Sequence, residues 1–319
     1  MIPRRSLGST GLEVSILGLG GHVFPVQARD YYESFYGRRF FNNEAWSQRR
    51  EIVAAALEAG LNLLAVDFDF EARAVGRILK ETGGRDGVFI TAVIDFRPVP
   101  GEAIKWSDLE DSIDRMLTSL QTERLELPQI RVTDRYLEMG LIEDMIPTLA
   151  RLVEKGKILA PVFYGGDSDL KVLTAGLEKR QFPVVARAWG WLNPTVRDYL
   201  LPAVVTARAG FIGFVPFQKG WLFDCGREAG LSPADVARFG LSWALFQPGV
   251  TSVLCGAAGA GEIKFNARTA VAGLDSSFLE EMAGRLSATR TYGRFLSLVR
   301  QTAPHLVHDW RGIREACAA

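Results

Sequence analysis

From residue 47 to about residue 272 the chain alternates between short apolar runs and amphipathic stretches of helical period, and few folds accept that pattern. Residues 47–59 place Ile52, Val53, Ala56 and Leu57 on one face, as a 3.6-residue repeat requires. A brief apolar strand follows at 61–66. The alternation then runs through helix 71–82, strand 88–94, helix 107–121, strand 125–131, helix 143–155 and strand 158–163. It continues through helix 168–178, strand 183–188, helix 195–208, strand 211–215, helix 233–246, strand 251–254 and helix 261–272. Pro128 inside LELPQIR argues against a strand there. With the apolar strand ending in glycines that opens the series at 16–21, this makes eight strand–helix pairs. Strands separated by helices pair in parallel with the helices outside, and eight such units close into a (β/α)8 barrel of the TIM type. The expected fold class is therefore α/β.

Flanking segments complete the expected layout. Residues 3–15 read as a β-hairpin around Gly8-Ser9-Thr10-Gly11. Residues 276–302 read as one or two further helices, and 303–319 cross the surface or cap the barrel mouth. The expected organisation is one domain over 1–319: hairpin 3–15, barrel 16–272, and C-terminal helical extension 273–319. The stretch 22–46 is long and irregular, but its Tyr and Phe density argues for an ordered loop over the barrel top.

Lys plus Arg and Asp plus Glu stand at 37 each, so nothing in the net charge favours nucleic acid or an anionic membrane. No apolar run reaches the roughly 18 residues of a membrane span. The start has a basic pair and no apolar core, so no signal peptide is read there, and the expected location is cytoplasmic. The three cysteines are scattered and no metal is expected; the spacing of His305 and His308 lacks an acidic or cysteine partner.

Several blocks carry a resemblance. Near the start stands R-x-L-G-x-T-G-L-x-V-S-x-L-G-L-G, followed by LEAGLNLL, RLVEKGKI (151–158), GFIGFVPFQKG (210–220) and FQPGVTSVLCGA (246–257). Over about residues 3–272 the chain resembles the aldo/keto reductases. That resemblance implies a barrel plugged by its hairpin, and reduction of a carbonyl by NADPH through an Asp, Tyr, Lys and His tetrad. At the matching positions this chain has Ala65, Phe70, Val93 and Arg131. Of the cofactor contacts that the resemblance implies, the Ser-Asn pair is replaced by Tyr164 and Gly165, and the Gln by Ala186. The aromatic stacked on the nicotinamide survives in kind as Trp189. The pyrophosphate loop appears without its Ser as Val215–Gly220. The adenine-side Arg and Glu positions hold Ala258 and Phe265, while Asn266 and the glycine-rich turn 256–261 remain. Lys219, Gly256 and Asn266 are the weak candidates left for a nucleotide.

Active sites of this fold sit at the C-terminal strand ends. Those ends offer His22, Asp67, Asp69, Asp95, Arg131, Asp134, Tyr164, Asp167, Arg187, Trp189, Trp191 and Lys219. Asp67 and Asp69 lie close together, so one faces the axis; an inward Asp67 serves as general base, and the other reading of either is a helix cap. Tyr164 is a candidate acid or a packed ring with a bonded tip. Arg131 offers a fork suited to an anion, or else an ion pair with Asp67 or Asp134. Arg187 either joins Arg131 inside or meets a helix outside. His22, Arg187, Trp189 and Lys219 complete the expected binding set, and Cys255 reads as core. The leading expectation is non-redox chemistry on a small, anionic molecule: elimination, isomerisation or cyclisation by Asp67, Tyr164 and Arg131, with no cofactor. The alternatives are an NADPH-dependent carbonyl reductase with displaced groups and a silent binding or regulatory protein. Oligomeric state is not legible.

Overall fold

The computed structural model describes residues 1–21, 43–96, 104–166, 169–193 and 196–301. Strands β1 (Arg4–Ser6) and β2 (Glu13–Ser15) form an antiparallel hairpin. The barrel follows as β3 (Leu17–Leu19), β4 (Leu63–Val66), β5 (Phe89–Val93), β6 (Leu127–Arg131), β7 (Val162–Tyr164), β8 (Val184–Ala188), β9 (Gly210–Phe214) and β10 (Ser252–Cys255). All neighbours are parallel and in chain order, and β10 closes onto β3. Pro128, which argued against a strand, stands within β6 opposite Ala92. A proline removes one donor from a ladder, and Gln129 and Ile130 keep the register with Val162 and Phe163.

Outside the barrel lie α1 (Asn43–Glu58), α2 (Asp69–Thr82), α3 (Trp106–Leu120), α4 (Asp134–Glu138), α5 (Leu141–Glu154), α6 (Leu170–Glu178) and α7 (Leu201–Ala207). They are followed by α8 (Trp221–Glu228), α9 (Pro233–Leu245), α10 (Ala260–Ala272), α11 (Ser276–Ser287) and α12 (Arg290–Gln301). The first helix begins at Asn43, inside the stretch expected as loop, and the short helices α4 and α8 were not foreseen. Among the described residues no helix is long and apolar enough to cross a membrane.

Side chains alternate across each strand, and two apolar layers result. Leu63, Ala65, Leu127, Ala160, Val162, Val184, Ala186, Ile212 and Leu254 fill the barrel, and the hairpin adds Leu7 and Val14. Leu63, Leu127, Val162 and Val184 open their strands, and Leu7 lies against Gly210 at the start of β9, so the hairpin stops the N-terminal end, as expected. One polar pair is sealed inside: Gln129 Nε2 donates to Thr91 Oγ1 at 2.9 Å, and Thr91 Oγ1 donates to the Leu127 carbonyl at 2.9 Å. The opposite parity, including Ile90, Ile130, Phe163, Val185 and Phe211, packs under the helices. A third cluster joins α8, α9, α11 and α12 through Trp221, Phe239, Met282, Leu286 and Phe295, which fixes the C-terminal extension against the barrel wall.

Candidate active site at the barrel mouth

The parity that puts Leu63 and Ala65 inside carries on to Asp67, just past the end of β4. Asp67 is half-buried, and its N–H donates to Glu71 Oε2 at 2.7 Å. Glu71 lies in the first turn of α2 and is fully buried. Arg49, buried on α1, feels both acids: burial lowers its guanidinium pKa, and the charges of Glu71 and then Asp67 push it back up. A Cβ on Gly21 would stand 2.5 Å from Asp67 Oδ2 and 3.3 Å from Glu71 Oε2. The glycine is thus the gap through which both acids lean over the end of β3. Neither Arg49 nor Glu71 was picked from the sequence. Yet Arg49, Ile52, Val53 and Ala56 fall on one helical stripe, and a cation in an apolar stripe was the available signal. Asp69 points elsewhere: it is exposed, receives Ser119 Oγ at 3.0 Å and pairs with Arg73 at 3.4 Å.

On the far wall, Arg131 ends β6 with the parity of Leu127 and Gln129, and its Cα stands in register with Tyr164 on β7. Tyr164 packs against the interior cluster. Tyr136, half-buried on α4, joins them. Burial raises its phenol pKa, the Arg131 charge lowers it and Tyr164 raises it. Asp134, one of the two expected ion-pair partners of Arg131, is turned away to receive the Val172 N–H at 2.9 Å. Asp169 is likewise taken by the Gly166 N–H at 2.7 Å.

Arg187 and Trp189, expected in the pocket, lie on the opposite face of the wall. Val184 and Ala186 take the interior, so Arg187 and Trp189 take the exterior. Arg187 is buried and donates Nη1 to the Gly166 carbonyl, and burial pulls its pKa down to about 10. It ties β8 to the loop after β7 and does not join Arg131. Trp189 donates Nε1 to the Ala244 carbonyl at 2.9 Å and packs on Trp243 and Phe211, so no face of it is open to a ligand. Trp191 stacks on Tyr292 with centroids 4.8 Å apart. On β9 the inner-face aromatic is Phe214, at the strand end.

After Phe214 the backbone enters the left-handed region repeatedly, at Val215 (φ 52°), Gln218 (φ 49°), Lys219 (φ 52°) and Gly220 (φ 99°). Non-glycine residues there cost of order 1–3 kcal/mol each, and such strain gathers at ligand clamps. Within this turn the Gln218 side chain is 1% exposed, and neither its Oε1 nor its Nε2 has a hydrogen-bond partner. Its Nε2 lies 2.9 Å from the place of a Cβ on Gly190, between the loops that follow β8 and β9. The N-terminus of α8 begins at once behind it. Lys219 is exposed on the same turn.

After β10, Gly256 is exposed, but the Ala258 N–H is taken by Glu262 Oε2 at 2.8 Å and the Ala258 carbonyl by Gln48 at 2.9 Å. Asn266 is buried, with Nδ2 3.5 Å from Cys255 Sγ. Cys255 is core, its thiol pushed up to about 12 by burial. His22, Asp167, His305 and His308, and the expected loop up to residue 42, lie outside the described residues.

Residues 40–168 match the model of the aldo/keto reductase family. No curated protein matches the chain. Among solved structures the fold is that of an aldo-keto reductase from Klebsiella pneumoniae in complex with NADPH. The two share 16% identity and a TM-score of 0.68 over 91% of this chain and 97% of that one. The holo form of an aldo-keto reductase from Bacillus halodurans aligns with 17% identity and a TM-score of 0.68, over 91% of this chain and 98% of its own. The expectation of a cofactor-free protein is corrected by these likenesses, since a barrel of this fold is solved with NADPH bound. The leading expectation of non-redox chemistry gains no support from them, and the carbonyl-reductase alternative does.

Proposed function

We propose, from the premise that this is a barrel of the aldo/keto reductase type, that the chain is an NADPH-dependent carbonyl oxidoreductase whose working side chains are displaced from the family's positions. The observation that carries this is the turn Val215–Gly220. A buried amide with both ends unsatisfied costs roughly 1–3 kcal/mol per group, and the left-handed backbone around it adds to that. A polar ligand that enters between the loops after β8 and β9 and reaches the Gln218 amide relieves the first of these costs. The Gln218 amide supplies N–H donors and an acceptor oxygen within this turn. The residues present therefore fit a dinucleotide at this place. Phe214 offers a ring face at the inner wall for a planar heterocycle.

When bound, NADPH supplies the hydride. The protein then has to hold the carbonyl and give its oxygen a proton. Tyr164, on the inner face, is the donor in this reading, with Tyr136 next to it as a second phenol. Arg131 stays protonated throughout and is a fixed cation on the same wall. Asp67 faces the mouth from the β4 side, with its backbone N–H on Glu71 and its charge felt by Arg49. Cys225 and Cys255, free thiols in the core, suit a cytoplasmic setting.

The test is titration of the purified protein with NADPH by quenching of tryptophan fluorescence, followed by NADPH oxidation against a panel of aldehydes and ketones. Binding at micromolar concentration, weakened about tenfold or more in Gln218→Ala by loss of the bonds to its amide, supports the reading. No saturation at millimolar NADPH, or equal affinity in Gln218→Ala, overturns it.

A further inference from the structure

We infer that the substrate carries a carboxylate, bound by Arg131 between the phenols of Tyr136 and Tyr164; this rests on reading the barrel mouth as the substrate site. Three observations support it. First, Arg131 stands on the inner face, above Gln129 and Leu127 and in register with Tyr164. Second, no carboxylate among the described residues pairs with it. Asp134 accepts the N–H of Val172 in the first turn of α6, and Asp169 accepts that of Gly166 after β7. Third, the two phenols beside it are proton donors, and burial holds the Tyr136 phenol above its ordinary range, so it remains a donor through neutral pH. A planar fork of donors with a hydroxyl close by matches a carboxylate in shape and in charge.

The opposite wall gives the site a direction. Asp67 and Glu71 face the mouth from β4 and α2, and Arg49 feels both of their charges. Among the described residues that wall carries two acids and one base, whereas the inner face of the β6 wall carries the cation Arg131. A substrate anion is drawn to Arg131 and repelled from Asp67, so the carbonyl end of the molecule is left toward the barrel axis and Phe214. Carboxylate is favoured over phosphate because a dianion calls for a second cation, and among the described residues of this wall Arg131 is the cation on the inner face.

Calorimetric titration of the NADPH-free protein compares benzoate with benzamide, its neutral isostere, and with phenyl phosphate. The expected result is benzoate bound roughly tenfold or more tightly than benzamide, as for a charge-assisted pair. That preference should vanish in Arg131→Met, fall partway in Arg131→Lys and weaken in Tyr136→Phe. Equal binding of benzoate and benzamide overturns the inference, as does a preference that survives Arg131→Met, or phenyl phosphate binding more tightly than benzoate. A melting temperature lowered by several degrees in both Arg131→Met and Arg131→Lys also overturns it, because Arg131 is then structural. NADPH plays no part in this titration. An Arg131-dependent preference with no NADPH binding therefore leaves this inference standing and removes the oxidoreductase reading, and the reverse pattern does the opposite.

Discussion

Two residues carry tension that the rest of the fold holds in place, and each yields a prediction of definite sign. Gln218 is buried with its amide unsatisfied. Replacement by Met keeps the shape and removes the orphaned polar atoms. Gln218→Met should therefore raise the stability of the free protein by about 1–3 kcal/mol while weakening NADPH. Stability and affinity moving in opposite directions, read by thermal melting and fluorescence titration on the same samples, distinguishes a ligand-facing amide from plain packing; a Met variant that loses stability rejects the first part. Glu71 is the inverse case. It is the larger of the two charges that support the buried Arg49. Glu71→Gln keeps an oxygen for the Asp67 N–H but leaves Arg49 underpaired. Breaking a buried pair costs of order 3–5 kcal/mol, so urea denaturation should show a large loss, and an unchanged midpoint would mean that Arg49 has another sufficient partner. Arg187 and Trp189 show where residue-level reading stopped. Strand alternation says that Arg187 and Ala186 face opposite ways, but not which way. The interior is narrow and takes the small Val184 and Ala186, and the bulky Arg187 and Trp189 are left to the helix layer.

Among elements, the first turn of α12 is capped by a carboxylate from α8. Glu228 at the end of α8 accepts the N–H groups of Thr291 and Arg290 and the Thr291 hydroxyl. The Thr291 N–H contributes most to holding its pKa down, at about 2, well below the ordinary carboxylate range. A depressed folded-state pKa means that the unfolded or undocked form binds the proton more readily. The contribution is present in full above about pH 4.3, the ordinary glutamate value, and is lost as pH falls from there through the folded pKa of about 2. Acidification over that window should release α12 from Trp221 and Trp191, visible as a change in tryptophan emission. Glu228→Gln should abolish the pH dependence; if the transition persists in that variant, another acid governs it. Elements with a full amphipathic period, such as α5 and α9, were legible in the sequence to within a few residues. The eight-residue α8 was not, because barely two turns cannot establish a period. The left-handed turn before it was equally hidden, since Val, Gln and Lys are poor markers of positive φ.

At the scale of the whole molecule, the barrel was legible because eight repeats of one pattern leave few ways to bury every apolar face. The chemistry was less so. The strand ends announce which residues are available, but whether a side chain meets the mouth or the helices is settled by packing across neighbouring strands, which no local pattern contains. The hairpin has a consequence of its own. With Leu7 and Val14 set among the first interior residues of the strands, the barrel is a well with a floor, and traffic has one way in and out. Two molecules that share such a well cannot exchange independently: the deeper one arrives first and departs last. If the dinucleotide occupies the β8–β9 side beneath the substrate, turnover follows a compulsory order. NADP+ then competes with NADPH, whereas the alcohol product does not compete with the carbonyl substrate. Product-inhibition kinetics read this directly. A random-order pattern would mean that the two ligands pass each other at the rim, with the dinucleotide lying across the opening and leaving the depth free.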